Sequence, residues 1–384
     1  MRKAMHVGRA AGRDSGLLVF AVALLVAAGG SFIHPPSVLG AQGVAQPPAA
    51  PSGTVAPQAS TPAREGTPVR EGTAPREGAA PLDVVQVAPN VHVIAGDGGN
   101  IVVQTGTDGV VVVDSGAGAR SGEVLAIVRD LSSQPIRFVI NTSASRAHVG
   151  GNAVIAAAGT VLGGRGGRGG APAEVAGVRG GAARLAHENV LLRMSAPQGQ
   201  VAPFAEGFWP TEGFIDIKNL YLNGEAIQVT HQPAAHSDGD SLVFFRRSDV
   251  IVTGAIVDAT RFPVIDVEAG GTVQGVIDAL NRLVQLAVPP TPLVWQDGGT
   301  QVVPGRGHVL EQADLVEYRD MVTIVRDVVA ELVRQGMTLE QVKAAAPAGG
   351  YATRYGSDPA WTTDMFVEAV YRTLPRGDAR GGAR

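Results

Sequence analysis

The feature that most limits what this chain can become is a succession of short β-branched runs between Val84 and Asn141. Val84-Val-Gln-Val-Ala-Pro-Asn-Val-His-Val-Ile, Asn100-Ile-Val-Val-Gln-Thr and Val110-Val-Val-Val-Asp-Ser-Gly follow one another, separated by glycine-rich and Asp-Gly turns. Branched side chains favour the pleated backbone and Asp-Gly fits tight reversals, so the segment predicts hairpins. Glu123 to Leu131 then sets Val124, Leu125, Ile127, Val128 and Leu131 at helical spacing, and Ile136-Arg-Phe-Val-Ile-Asn reads as a buried strand. Further strands are predicted around Phe214 to Leu222, Ala226 to Thr230, Ser241 to Phe245 and Val250 to Thr253. Helices are predicted over Val273 to Leu286, Asp314 to Gln335 and Trp361 to Arg372, with Thr338-Leu-Glu-Gln as the capped start of a short one. Strands in series, then strands alternating with helices, predict an α/β sandwich of sheets flanked by helices.

Composition changes abruptly at Leu82. Residues 42–81 are Pro, Ala, Gly, Thr and Ser, with the repeat Arg64-Glu-Gly-Thr-Pro, Arg70-Glu-Gly-Thr-Ala-Pro, Arg76-Glu-Gly-Ala-Ala-Pro. Having almost no large apolar side chains, this stretch cannot offset the entropy of ordering and is expected to be a disordered tether. Before it, Arg2, Lys3, Arg9 and Arg13 precede the apolar run from Gly16 to Ala28. That order makes residues 1–41 either a cleaved secretory signal or an uncleaved membrane anchor, and places the protein in the periplasm or outside the cell. The folded part is expected at 82–376, with a glycine- and arginine-rich inserted loop at 163–184 and a disordered tail at 377–384. A net charge of −4 and a pI near 6.1 leave no concentrated basic face, which argues against nucleic acid as a partner. The chain has no cysteine, so any metal must be held by His, Asp or Glu.

Three segments, in order, resemble the metallo-β-lactamase superfamily, in particular its exported hydrolase branch. Val139-Ile-Asn-Thr-Ser-Ala-Ser-Arg-Ala-His-Val-Gly-Gly-Asn stands where that family has a strand, Asn-Thr, His-x-His-x-Asp-His and Gly-Gly-Asn. His231-Gln-Pro-Ala-Ala-His-Ser-Asp-Gly-Asp-Ser matches the loop of the third histidine, and Val252-Thr-Gly-Ala follows where the family carries Gly-Asp. Val303-Pro-Gly-Arg-Gly stands in place of Pro-Gly-His-Gly. The likeness spans about Leu82 to Leu374 and implies a four-layer αββα sandwich.

The departures from that pattern bear on function. By the resemblance, one zinc site corresponds to Ser143, Ser145 and His236 and the other to Ala147, His148 and Arg306, with Ala255 at the bridging position. His148 and His236 are the residual ligands; five of the seven positions are replaced. Catalytic zinc requires about three protein ligands, and neutral hydroxyls are not among its usual donors. The zinc-bound hydroxide exists because the metal lowers the pKa of water from about 15.7 to about 7. No cofactor is therefore expected, the alternative being zinc at a reduced site.

Arg306 carries a permanent positive charge where the family supplies a ligand. It either replaces the ion's charge, with Asp114 or Asp238 as partner, or points to solvent from a filled cleft. Asn152 and His308 complete the pocket candidates, while His92, His187 and His231 form no spaced metal pair. Ser143 or Ser145 with His148 would make a serine–histidine dyad only within hydrogen-bond reach. Two classes of function follow: a non-catalytic exported binding or scaffolding module for an unknown small molecule or protein, and a divergent hydrolase acting on a lactam, lactone, thioester or related ester.

Overall fold

A computed structural model describes residues 81–160, 181–197, 199–290 and 298–375. The expectations for residues 1–80, for most of the 163–184 loop and for the tail at 377–384 lie outside the described residues.

The β-branched runs form one sheet in sequence order. It contains β1 (Asp83–Ala88), β2 (Val91–Ala95), β3 (Ile101–Gln104), β4 (Val110–Val113), β5 (Ile136–Ile140), β6 (Ala183–His187) and β7 (Glu212–Phe214). The first four strands pair antiparallel, and β4 to β7 run parallel, so the carboxyl ends of those four lie along one edge. The parallel step from β4 to β5 is bridged by α1 (Ser121–Leu131), whose apolar stripe was legible from its spacing. After β5 come α2 (Arg146–Val149) and α3 (Asn152–Ala157), then α4 (Glu188–Met194) directly after β6.

The second sheet has the order β12, β11, β10, β9, β8, made from β8 (Ile217–Leu222), β9 (Glu225–His231), β10 (Ser241–Phe245), β11 (Val250–Val252) and β12 (Gln301–Val303). Between β11 and β12 lies α5 (Val273–Leu286), and after β12 come α6 (Gln312–Arg334), α7 (Leu339–Ala344), α8 (Ala352–Tyr355) and α9 (Thr363–Thr373). Capping boxes Glu311/Asp314 and Thr338/Gln341 start α6 and α7, the second at the residues that the sequence singled out.

Three apolar layers follow from the alternation along the strands. Val91, Val93, Val111 and Leu185 of the first sheet meet Ile227, Val229, Val243 and Phe245 of the second. The opposite face of the first sheet, with Ile101, Val103 and Val112, packs on Val124 and Val128 of α1 and Ile155 of α3. The outer face of the second sheet, with Leu242, Ile251 and Val302, packs on Leu280, Val322 and Phe366 of the late helices. Helices, sheet, sheet and helices make the αββα sandwich.

One boundary differs from expectation. Ala183 and Arg184, assigned from glycine content to the inserted loop, belong to β6, and Ala182 and Leu185 are buried. The sequence Gly-Gly-Ala-Ala-Arg-Leu-Ala has weak strand propensity; its place between β5 and β7 overrides that preference.

The loops leaving β4, β5, β11 and β12 converge at one end of the sandwich. Ser241 N–H donates to the Thr142 carbonyl at 2.9 Å, and Asn100 N–H to the Gly305 carbonyl at 2.8 Å, tying the two sheets together there. The approach is close enough that a Cβ on Gly254 (φ +52°) would lie 2.0 Å from Thr142 Oγ1, and one on Gly305 2.3 Å from the Gly254 carbonyl oxygen. Gly336 also has positive φ, +80°, but open space around it. Gly336→Ala should therefore lose about 1–2 kcal/mol from backbone conformation, and Gly254→Ala a further 1–3 kcal/mol or so from overpacking. Urea midpoints of the two variants test this; equal shifts would show that the inter-sheet contact is not tight.

Candidate functional site

The site is built around the end of β4. Asp114 is a non-glycine residue in the left-handed region (φ +60°), a conformation that a short carboxylate side chain tolerates better than most. Its carboxylate is buried and accepts from Thr142 N–H at 2.8 Å, Thr142 Oγ1–H at 2.7 Å and His148 Nδ1 at 2.7 Å. One acidic group thus holds both the loop after β5 and α2. Burial works against a charged imidazole at His148, but the adjacent Asp114 charge and hydrogen bond outweigh it, so the pKa is raised above 6.5. Behind them, Asn152 accepts from Ser115 Oγ–H and Asn141 Nδ2–H and donates to Asn141 Oδ1 and the Phe208 carbonyl. Asn152 is a structural bracket; it lines neither cavity described below.

A cavity of about 150 Å³ lies where the loops meet, lined by Ser145, Ala147, His148, His236, Ala255 and Arg306 together with Asp258, Arg261 and Trp361. Six of the seven positions singled out by the resemblance are thus brought together. Ser143 opens instead into a neighbouring cavity of about 720 Å³, which shares Ser145, His236, Val264 and Trp361 with the first.

The residues present do not fit a zinc ion. Among the described residues no group of three or more His, Asp or Glu is placed to hold a metal. His148 and His236 are the two histidines that line the space, and two guanidinium groups line it with them. Nor do the serines form a dyad: Ser143 Oγ accepts from Ser145 N–H, and among the described residues no hydrogen bond joins either serine hydroxyl to a histidine ring.

The acidic partner of Arg306 is neither of those expected. Asp114 is committed to Thr142 and His148, and Asp238 makes a bidentate pair with Arg193 at 2.7 Å. Arg306 instead lies 3.7 Å from Asp358 and donates to the Gly98 carbonyl at 3.2 Å, with its side chain 43% exposed. His308 is exposed and lines neither cavity. What the sequence reading missed is Arg261, which pairs with Asp258 at 2.7 Å and Asp358 at 2.8 Å. The Asp258-x-x-Arg261 spacing is a local clue to the first pair; Asp358 is separated by almost a hundred residues and leaves no such signal. The result is an alternating series, Asp258, Arg261, Asp358, Arg306, of which Asp258, Arg261 and Arg306 line the cavity. Arg261→Ala leaves the buried Asp258 unpaired, a situation that costs on the order of 3–5 kcal/mol, whereas the exposed pair of Arg306 contributes about 0–1 kcal/mol. Unfolding midpoints should therefore fall much further for Arg261→Ala than for Arg306→Ala; the reverse order would place the buried charge elsewhere.

The loop carrying His236 is tied to both sheets by a histidine pair. His187, at the end of β6, stacks on His231, at the end of β9, with ring centroids 3.6 Å apart and an interplanar angle of 12°. His187 Nδ1 accepts from Asn189 N–H, and His231 Nε2 donates to the Asp238 carbonyl. Burial, then the neighbouring His231, depress the pKa of His187.

His148 and His187 therefore act on stability in opposite pH ranges. The stabilisation from His148 is complete below its unfolded value of 6.5 and is lost as pH rises through its elevated folded value. For His187 the unfolded chain binds more protons, so stability declines as pH falls from 6.5 toward its lowered folded value. His148→Gln should flatten the alkaline limb of a stability–pH curve, and His187→Asn the acid limb. Urea unfolding across that range measures both, and an unchanged acid limb in His187→Asn would exclude the assigned role.

No protein-family model matches the chain, and no curated protein does. Solved structures do resemble it. A metallo-β-lactamase from Pontibacter korlensis is 16% identical with a TM-score of 0.45, the match covering 63% of this chain and 99% of that one. The stereoselective inverting sec-alkylsulfatase Pisa1 from Pseudomonas sp. is 15% identical with a TM-score of 0.49, over 78% of this chain. A double mutant of that sulfatase is 14% identical with a TM-score of 0.47. The chain spans 51% of the length of the sulfatases.

Proposed function

We propose that this chain is an exported metallo-β-lactamase-fold protein that binds a ligand without metal-dependent catalysis, a pseudoenzyme in which the hydrolytic centre has become a binding cleft. The observation that carries this reading is the replacement of a metal-binding constellation by a wall of paired charges. Asp258, Arg261 and Arg306 line the cavity that also holds His148 and His236, and Asp358, outside that lining, faces both arginines. A divalent cation there would face two guanidiniums that stay protonated at any physiological pH. The carboxylates that could attract it are already engaged with arginine or histidine.

Without three donors, nothing holds a metal against competition from water, and no water is acidified to serve as nucleophile. What remains is a shaped recess: the small cavity with its cationic wall, opening beside a larger and mostly apolar space. Three of the groups that might have acted on substrate have structural partners. His148 holds Asp114, Arg193 holds Asp238, and Arg261 joins two carboxylates. A recess whose polar groups are prepaired can recognise a ligand by shape and residual donors, and it leaves bond cleavage without a nucleophile.

Metal content separates this reading from that of a divergent hydrolase acting on a lactam, lactone or thioester. Elemental analysis of the purified full chain should find substoichiometric zinc, iron and manganese. Stoichiometric metal, retained through dialysis, would return the hydrolase to first place. Ser143→His should also remain zinc-free, because two imidazoles at one site still fall short of the ligand count that makes a metal site cooperative. Micromolar zinc binding by that variant, followed calorimetrically, would contradict the reading.

A further inference from the structure

The four arginines lining the two cavities are not equivalent. Arg193 meets Asp238 at 2.7 Å, Arg261 meets Asp258 and Asp358 at 2.7 and 2.8 Å, and Arg372 meets Glu268 at 2.6 Å. Arg306 alone among these four has its nearest carboxylate as far away as 3.7 Å, and that carboxylate is already bonded to Arg261. A guanidinium has five N–H donors in a planar fork. The hydrogen bond from Arg306 to the Gly98 carbonyl uses one of them. Donors are left over on a side chain that lines the small cavity.

A second, independent observation falls at the junction of the two cavities. Trp361 and His236 line both, and each has a buried side-chain nitrogen without a partner, Nε1 of the indole and Nδ1 of the imidazole. An indole N–H is a donor only. A buried donor left unmade costs about 1–3 kcal/mol, so a site that carries one next to a cavity is short of an acceptor. Of the two, the indole nitrogen is a donor that meets no acceptor among the described residues.

The larger cavity has a different character. Its wall includes Ala144, Val264, Ile265, Val267, Trp361 and Met365. Of the charged side chains that line it, Arg193 pairs with Asp238, Arg372 with Glu268 and Glu368 with Lys343, while Asp266 accepts from the Ala269 N–H. Its 720 Å³ lies within the range of about 300–1,000 Å³ usual for small-molecule sites.

We propose that the cleft takes a ligand with an anionic head and an apolar body, the head meeting Arg306 in the small cavity and the body lying against Val264, Trp361 and Met365 in the large one. This rests on the metal-free binding reading above. The head must carry acceptors, because Arg306 offers hydrogens there. A cationic head would meet two guanidiniums. A ligand that is polar throughout would leave the apolar wall of the larger cavity wet, and a purely apolar one would leave the donors unsatisfied. Arg306 serves here as a specificity-determining residue: it discriminates between heads, while the apolar wall supplies affinity that is indifferent to the head.

The test uses the purified full chain and isothermal titration calorimetry with octanoate, octanol, octyltrimethylammonium and acetate. Octanoate should bind about tenfold or more tighter than octanol, the equivalent of one charge-assisted contact, and the ammonium compound and acetate should bind more weakly than either. Arg306→Gln should bring octanoate down to the affinity of octanol and leave octanol unchanged, whereas Met365→Asp should weaken both. Circular dichroism of the variants checks that each is folded, and the surface position of Arg306 favours this outcome. Equal affinities for octanoate and octanol in the unaltered chain, no binding of either, or full retention of the octanoate preference in Arg306→Gln would each overturn the proposal. Zinc measured on the same preparation keeps the two ideas apart. Stoichiometric metal would sink the metal-free reading on which the proposal rests, and a metal-free chain without octanoate preference would sink the ligand assignment alone.

Discussion

The carboxylate of Asp114 is the interaction on which the site depends. It ends β4 in a left-handed conformation and collects three donors from residues 28 and 34 positions further on. Buried as it is, the charge is tolerable because it is neutralised by His148 and fully hydrogen-bonded, and for the same reason it cannot be released to serve anything else. The backbone of Thr142 then reaches across to Ser241 in the second sheet. The position of the Ser143–Ser145 loop, and through it the mouth of both cavities, follows from where this one carboxylate sits.

The framework was legible in the sequence because it is written in side-chain periodicity. The runs at Val110–Val113, Ser241–Phe245 and Val273–Leu286 fall where the alternation or helical spacing predicts. Failures cluster where context outweighs propensity. At β6, Ala-Arg-Leu-Ala-His occupies a strand only because neighbours pair with both edges, and β12 is a three-residue strand with no room for a pattern. The site was legible to the extent that it is local. Six of the seven positions picked by resemblance do line one cavity, but which carboxylate meets Arg306 was not readable, because Asp358 comes from the turn after α8. His308 illustrates the converse: two residues from Arg306, it is carried out to solvent by Gly307, whose φ is +96°.

The charge series bears on the proposed metal-free reading of the site. A metal site concentrates donors around one strong positive charge; here the positive charge is covalently part of the chain and is spread over two side chains, each already partnered. Such a wall needs no ion to be stable. It also fixes the electrostatic character of the recess, which a metal site would change on each loss or gain of its ion. On the proposed reading, recognition and stability draw on separate members of the series, Arg306 at its open end and Arg261 within.

The histidine stack and the Asp358 turn together say something about how the domain closes. The walls of the small cavity come from Gly98 near the start of the described fold, from the middle loops at His148, His236 and Arg261, and from Ala360 and Trp361 near its end. A chain emerging amino terminus first can pair β1 to β7 and stack the second sheet on them long before residue 358 is available. Until then Arg261 has only Asp258, and Arg306 has no carboxylate at all. The small recess therefore acquires its full set of walls only after residues 358 to 361 have been made, late in the chain.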